Sequence, residues 1–186
     1  MYATDQLRAD HEGILVMLSV LERLADDLHA GRAVNLDHLE QILDFLRTFA
    51  DTCHHGKEED LLFPALGRAG LPAEGGPVGV MLLEHTQGRA YIRGMMDALE
   101  ALRAGKGGAT DFARNAYGYV ELLRAHIDKE NDILFVMAER ILPPAVHAQL
   151  TEEFEKVEHE RVGEGIHERF HALIHELEDT YLRRAA

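Results

Sequence analysis

Apolar side chains recur along most of the chain at the alternating three- and four-residue spacing of amphipathic α-helices. In the first stretch, for example, Leu7, Ile14 and Leu21 fall on one helix face. No stretch alternates apolar and polar residues with the period of two that a half-buried β-strand requires. The pattern therefore predicts an all-α fold, with helices at residues 4–30, 36–66, 78–103, 110–142, 145–160 and 166–184.

Short segments rich in glycine, proline and polar residues separate these helices, including residues 67–76 and 104–109, and a Pro-Pro pair ends the fourth helix. Because long helices with short connections pack against their chain neighbours, we expect an antiparallel up-down-up-down four-helix bundle over residues 1–142. We expect residues 143–186 to add C-terminal helices, as an extension that packs on the bundle within the same domain.

The 186 residues include 33 Asp and Glu against 19 Lys and Arg, which gives a net charge of −14. A surface this acidic repels nucleic-acid phosphates and anionic lipids, so neither nucleic acid nor a membrane is expected as a partner. The N-terminus lacks an apolar signal core, no stretch is apolar enough to cross a bilayer, and the single Cys53 cannot form an intramolecular disulfide. These observations predict a cytoplasmic protein, and they leave a monomer and a homodimer both open.

The chain contains 12 histidines, and two similar stretches begin with histidine in the second and fourth predicted helices. The stretches are HHGKEEDLLFP, which begins at His54, and HIDKENDILFV, which begins at His126. In each, a glutamate follows four residues later, Glu58 and Glu130, on the same helix face as the histidine. An imidazole and a carboxylate placed in this way can reach one metal ion, or the carboxylate can bridge two ions. The repeat thus predicts a metal site between these two helices.

The first and third predicted helices each place one histidine, His11 and His85, on the apolar face. A buried imidazole needs a polar partner, and one metal cluster would satisfy all four histidines together. Histidine and carboxylate ligands without thiolate suit iron or manganese better than structural zinc. A single His-x-x-x-Glu pair is more often an exposed helix pair, so the inference depends on the repeat and on the two further inward histidines.

Together these motifs resemble the bacterial hemerythrin-like, or HHE cation-binding, domain over roughly residues 5–140. The resemblance is carried by Asp10-His11, His54-His55-x-Lys-Glu58-Glu59 followed by Leu-Phe-Pro, Glu84-His85, and His126-x-x-Lys-Glu130. It implies a centre of two iron ions, bridged by two carboxylates and usually by an oxygen species; the sequence does not distinguish iron from manganese. The implied iron ligands are His11, His54, His85 and His126, and the implied bridges are Glu58 and Glu130.

The adjacent pair His55/Glu59 has the same spacing and competes with His54/Glu58. The register of the second copy of the motif favours His54/Glu58. His55 and Glu59 therefore stay as additional candidates for the site.

Oxygen-carrying hemerythrins have five histidine ligands, two of them one turn apart on the third helix, whereas here the positions one turn from His85 are Met81 and Arg89. Tyr119 and His167 are candidates for a further ligand. An open iron position favours binding or reduction of oxygen, peroxide or nitric oxide over reversible oxygen carriage. The alternatives left open are an oxidoreductase that reacts with peroxide or oxygen, a sensor, and a module that stores or delivers iron without catalysis.

A separate motif, His167-Glu168-x-x-His171, matches the zinc-binding helix of metallopeptidases. Such peptidases usually hold their substrate along a sheet edge, and no strand is predicted here. The flanking residues are polar, and His175 continues a row with His171 that is expected to be exposed. A solvated or packing helix is the favoured interpretation, with a zinc peptidase or a contribution to the iron site as alternatives.

Overall fold

The structure, a computed structural model, describes residues 2–163 and 165–183, except for the side chains of residues 161, 162 and 167. Most of these residues lie in helices, and none of the described residues lies in a β-strand, which confirms the predicted all-α fold. In chain order the helices are α1 (Ala3–His29), α2 (36–68), α3 (Gly76–Arg103), α4 (109–141), α5 (144–162) and α6 (166–183). The predicted bounds agree to within one or two residues, although the predicted end at residue 184 lies outside the described residues.

Helices α2 and α4 change their hydrogen-bonding pattern where the repeated motif lies. The backbone N–H of Phe63 donates to the carbonyl of Glu58, and that of Phe135 donates to Glu130, five residues back in each case. Such π-helical turns contain more residues than α-helical turns, so consecutive side chains are separated by a smaller angle around the helix axis. Turns of this kind are frequent at functional sites. The π-helical parts are Leu46–His55 and Glu58–Leu62 in α2, Glu130–Leu134 in α4, Glu158–Val162 in α5 and Asp179–Arg183 in α6.

Apolar side chains form two cores with a polar layer between them. Along α1, for example, Leu7 belongs to the smaller core and Ile14 to the larger, and His11 lies between the two residues. Along α3 the order is the same, whereas along α2 and α4 it is reversed, and each of these helices contributes apolar residues to both cores. The four helices therefore bring their histidines and glutamates to one level of the molecule.

The two C-terminal helices contribute to different cores. Phe170 and Leu177 of α6 are buried in the larger core, and Leu150 and Phe154 of α5 are buried in the smaller core. The domain boundary at residue 142 stays a prediction. Among the described residues, no helix is both long enough and apolar enough to cross a membrane.

Glycines allow α3 and α4 to approach closely. A Cβ atom on Gly94 would lie 2.5 Å from Oδ1 of Asn115, and one on Gly118 would lie 2.5 Å from Cε1 of Tyr91. Both distances are far below van der Waals contact, so larger residues at these positions would force the neighbouring side chains aside. The close approach brings His85 of α3 within reach of the motif in α4.

Candidate metal centre

The polar layer contains seven buried imidazole and carboxylate side chains, each at most 4% exposed. They come from all four long helices, which places the layer inside the molecule between the two apolar cores. They form two groups that could each hold a metal ion, and Glu58 belongs to both groups. The first group is His55, Glu58, His85 and His126, and the second is His11, His54, Glu58 and Glu130.

The first group contains three imidazoles, and we call it the three-histidine group. Nε2 of His85 lies 3.1 Å from Nε2 of His126, and the ring of His55 stacks on that of His85 with centroids 3.9 Å apart. Oε2 of Glu58 is 3.5 Å from Nε2 of His85, and Oε1 of Glu130 is 3.1 Å from Nε2 of His126. Three imidazoles and two carboxylate oxygens thus surround one position.

The second group contains two imidazoles, and we call it the two-histidine group. Nε2 of His11 lies 3.0 Å from Nε2 of His54. Oε1 of Glu58 is 3.6 Å from Nε2 of His54, and Oε2 of Glu130 is 3.2 Å from Nε2 of His11. This position therefore has one imidazole fewer than the three-histidine group.

Glu58 and Glu130 join the two groups, because each carboxylate places one oxygen beside each group. Both side chains are fully buried, and none of their four oxygens accepts a well-aligned hydrogen bond from a described residue, although each lies 3.1–3.6 Å from an imidazole nitrogen. Burying an ionised carboxylate without compensation is costly, and cations held between the imidazoles would supply that compensation. Imidazole nitrogens and carboxylate oxygens also form the ligand set that iron and manganese accept. The residues present therefore fit a pair of bridged metal ions.

A side-chain oxygen fixes the outer nitrogen of every imidazole in the layer. This arrangement is typical of metal-binding histidines, because it orients the ring and selects the tautomer that directs Nε2 to the metal. The partners of Nδ1 are Asp10 for His54 (3.2 Å), Asn131 for His11 (3.0 Å), Asp51 for His55 (3.3 Å), Glu59 for His85 (2.7 Å) and Glu84 for His126 (2.8 Å).

Cations hold the outer carboxylates in turn. Arg89 donates from Nε to Asp51 at 2.8 Å and from a terminal nitrogen to Glu59 at 2.7 Å, so one guanidinium fixes the partners of two histidines. Lys129 pairs with Glu84 in the same way. The three-histidine group is thus supported by a second layer of charges that lies closer to solvent.

The inner carboxylates also determine where protons are held. Burial lowers the pKa of His85, but the carboxylates of Glu58 and Glu59 raise it to about 9. Burial likewise lowers the pKa values of His11 and His126, and Glu130 raises both above the ordinary value. A metal ion that binds here would displace these protons.

His55 behaves differently. Burial and the neighbouring His85 hold its pKa well below the ordinary value, which keeps the ring in the neutral form that a metal ligand requires.

Comparison with known proteins identifies the family of this chain. The family described as the hemerythrin HHE cation-binding domain matches residues 2–138. The chain belongs to this family. The hemerythrin domain therefore includes α1 to α3 and most of α4, whereas α5 and α6 follow it.

Relatives of this hemerythrin-like chain include uncharacterized proteins of Mycobacterium tuberculosis and Mycobacterium bovis. Each is 26% identical over 153 residues, which is 81% of this chain and 57% of the relative. The chain thus spans just over half the length of these relatives. No solved structure matches it.

Six residues expected at the metal site of the hemerythrin domain come together in the polar layer. They are His11, His54, Glu58, His85, His126 and Glu130. His55, an additional candidate, lies in the three-histidine group, while Glu59 lies outside both groups and accepts a hydrogen bond from His85. His54 and His55 therefore both reach the polar layer, one in each group.

The two candidates for a further ligand have different positions. Tyr119 is buried in the larger core, and its hydroxyl has no hydrogen-bond partner among the described residues. Burial and the charge of Asp51 raise its pKa, so the hydroxyl keeps its proton. The side chain of His167 lies outside the described part of the structure. Glu168 and His171 are exposed on α6, and neither belongs to a metal-holding group of the described residues.

Sequence reasoning missed most of the outer partners. Asp51 lies one turn before His55, so its spacing was a usable signal, whereas Asp10 and Glu84 hold His54 and His126, which lie 44 and 42 positions away. Asn131 had no such signal, since its contact with His11 joins residues 120 positions apart.

Proposed function

We propose that this chain is a non-haem di-iron protein in which α1 to α4 form an antiparallel up-down-up-down bundle around the metal ions. The alternation of small core, polar layer and large core along all four helices supports this arrangement, because it puts the polar layer at one level. Residues 143–186 then form a helical extension of the same domain. The buried residues that α5 and α6 contribute to the two cores support this part of the proposal.

The proposed iron ligands are the five imidazoles of the layer, with Glu58 and Glu130 as bridges. Support for the proposal comes from the two carboxylates, which are buried, accept no well-aligned hydrogen bond from a described residue and place one oxygen beside each histidine group. Two ions at these positions would satisfy all four oxygens at once. Manganese accepts the same ligands, so iron is preferred because the chain belongs to the hemerythrin family.

The unequal number of imidazoles predicts where a small ligand binds. Two iron ions would supply redox chemistry toward oxygen, peroxide or nitric oxide. With Glu130 counted at both positions, the two-histidine group has four protein ligands and the three-histidine group has five, so the two-histidine group leaves room for such a molecule. Phe135 stacks on His11 at a centroid distance of 5.5 Å and forms an apolar wall there. An apolar wall of this kind keeps water from the site and favours small uncharged ligands.

His55 changes the comparison with oxygen carriers. The sequence offered no second histidine beside His85, and this was the reason for favouring reaction over reversible oxygen binding. With His55 in the three-histidine group, the chain provides five imidazoles, the number found in oxygen-carrying hemerythrins. We therefore include reversible oxygen binding in the proposal, beside oxidant handling and sensing.

Iron analysis tests the metal assignment. Protein purified in air should contain about two iron ions per chain. The double variant His54→Ala/His126→Ala should lose this iron, whereas His171→Ala, on the exposed face of α6, should retain it. One equivalent of zinc without iron, or loss of metal only in the His171 variant, would support the zinc peptidase instead.

Spectroscopy of the reduced protein tests the ligand. Nitric oxide should bind one iron of each pair, since one position has room for it, and oxygen or peroxide should oxidise the reduced pair or bind to it reversibly. Iron that is released on reduction and binds none of the three molecules would indicate a storage module.

A further inference from the structure

Lys57 is a buried charge of α2 that the proposed iron ligation does not use. Its side chain is fully buried, one residue before Glu58. The ammonium contacts Oδ2 of Asp10 at 3.1 Å and Oε1 of Glu158 at 2.5 Å, and it lies 6.0 Å from the ring centre of Phe154. A lysine in the interior requires such anionic partners, because an unpaired ammonium there would be strongly destabilising.

Asp10 connects this ammonium to the metal centre. Its Oδ2 atom, which accepts from Lys57, also accepts from Nδ1 of His54 at 3.2 Å. Nε2 of His54 points into the two-histidine group. Three consecutive contacts therefore join Glu158, Lys57, Asp10 and His54.

The repeated motif provides an internal comparison. Lys57 and Lys129 both lie three residues after a histidine of the repeat, and both pair with a carboxylate that holds that histidine. Lys129, however, is 37% exposed and pairs with Glu84, whereas Lys57 is buried and has a second carboxylate, Glu158. The two halves of the site therefore differ in this added charge as well as in the number of imidazoles.

Glu158 comes from outside the hemerythrin domain. It lies in α5, beyond residue 138, where the family match ends. Its side chain is 23% exposed, and Gln6 of α1 donates a hydrogen bond to the same Oε1 atom at 3.0 Å. The partners of the other four imidazoles, and the cations that hold them, all lie within residues 2–138. The extension therefore contacts the support of one iron ligand, His54.

We propose that Glu158 is a positioning residue through which the C-terminal extension tunes the two-histidine group by way of Lys57 and Asp10. Where iron is concerned, the inference rests on the proposed function. With Glu158 ionised, the ammonium divides its attraction between two carboxylates, so Asp10 remains a strong acceptor for His54. A strong acceptor makes the imidazole a better electron donor to a metal ion.

Neutralising Glu158 has two effects of the same sign. Lys57 then pairs with Asp10 alone, which weakens the hydrogen bond that Asp10 accepts from His54. The cluster of Asp10, Lys57 and Glu158 also loses its net negative charge, which lies close to the two-histidine group. Both changes disfavour the more positive, oxidised iron, so the midpoint potential of the pair rises and its iron affinity falls.

The test compares Glu158→Gln with Glu155→Gln in the full chain. Glutamine keeps the size of the side chain and a carbonyl oxygen for Lys57, and Glu155 is an exposed residue of the same helix. The Glu158 variant should keep its iron, show a higher midpoint potential and bind iron(II) severalfold more weakly, less than the roughly 10- to 100-fold loss typical of a direct outer partner. The Glu155 variant should match the wild type. Equal potentials in all three proteins would overturn the inference.

A double-variant comparison separates this role from general stabilisation. In an Asp10→Asn background the path to His54 is interrupted and only the effect of the lost charge remains, so Glu158→Gln should shift the potential clearly less than it does in the wild type. The same shift in both backgrounds would show that Glu158 acts by another route.

A measurement without iron keeps the inference testable if Asp10→Asn fails to fold or the wild type binds no iron. The nitrogen and proton resonances of the His54 imidazole in the metal-free protein report the strength of its bond to Asp10. They should move in Glu158→Gln and not in Glu155→Gln; unchanged resonances would refute the link between Glu158 and His54. Absence of iron from the wild type would count against the proposed function alone.

Discussion

His85 provides a quantitative test of the electrostatics of the metal-free protein. Its ring is 1% exposed, and its Nδ1 atom lies 2.7 Å from Glu59. Burial lowers its pKa, but the carboxylates of Glu58 and Glu59 raise it to about 9. From an unfolded value of about 6.5, and at roughly 1.4 kcal/mol per pKa unit, this difference corresponds to about 3 kcal/mol of stability.

The sign follows from the raised value. Below about pH 6.5 the ring of His85 is protonated in the folded and unfolded states, so the stabilisation is fully present. Between about pH 6.5 and about pH 9 only the folded state keeps the proton, so rising pH removes the stabilisation. Above about pH 9 the contribution is lost.

The assay is urea unfolding of the metal-free protein across this pH range. The difference in free energy of unfolding between the wild type and His85→Gln should shrink by about 3 kcal/mol from about pH 6 to about pH 9.5. His175→Gln, a variant of an exposed histidine on α6, should follow the wild type throughout. A difference between wild type and His85→Gln that stays constant with pH, or grows as pH rises, would show that Glu58 and Glu59 do not hold a proton on His85.

Three further predictions concern iron and packing. Glu130→Gln should lower the iron content from about two ions to at most one per chain, because it removes a carboxylate shared by both groups. An unchanged content in an iron assay would count against Glu130 as a shared ligand. Arg89→Met should weaken iron(II) binding about tenfold in chelator competition, because Arg89 holds Asp51 and Glu59. An affinity equal to that of the wild type would show that these contacts do not affect metal binding. Gly118→Ala should lower the free energy of unfolding, measured with urea, by about 1–3 kcal/mol, because the new methyl group overlaps Tyr91. An unchanged free energy of unfolding would mean that the ring of Tyr91 moves aside freely.

Apolar periodicity predicted the helices well, because each helix buries one face and glycine or proline lies near most of its ends. The same reasoning treated α2 as a regular α-helix, in which His54 and His55 point in different directions and compete for one register. The π-helical turns across Leu46–His55 and Glu58–Leu62 bring both rings to the polar layer. Apolar spacing carries no signal for such turns.

Contacts between residues far apart in the chain could not be predicted from the sequence either. Lys57 lies 47 positions from Asp10 and 101 positions from Glu158, and helical spacing relates only residues one or two turns apart. The repeat does place a lysine directly before Glu58 and another directly before Glu130. Only the packing of α5 shows that one of these lysines is buried and has a second carboxylate partner.

We propose that each histidine group holds one iron ion and that the two ions share Glu58 and Glu130. Anomalous scattering at the iron edge, from crystals of the iron-loaded protein, locates these ions directly. We expect two peaks on either side of the two carboxylates, one beside the three-histidine group and one beside the two-histidine group. A single peak, or peaks outside the polar layer such as one at His171 on α6, would contradict this proposal.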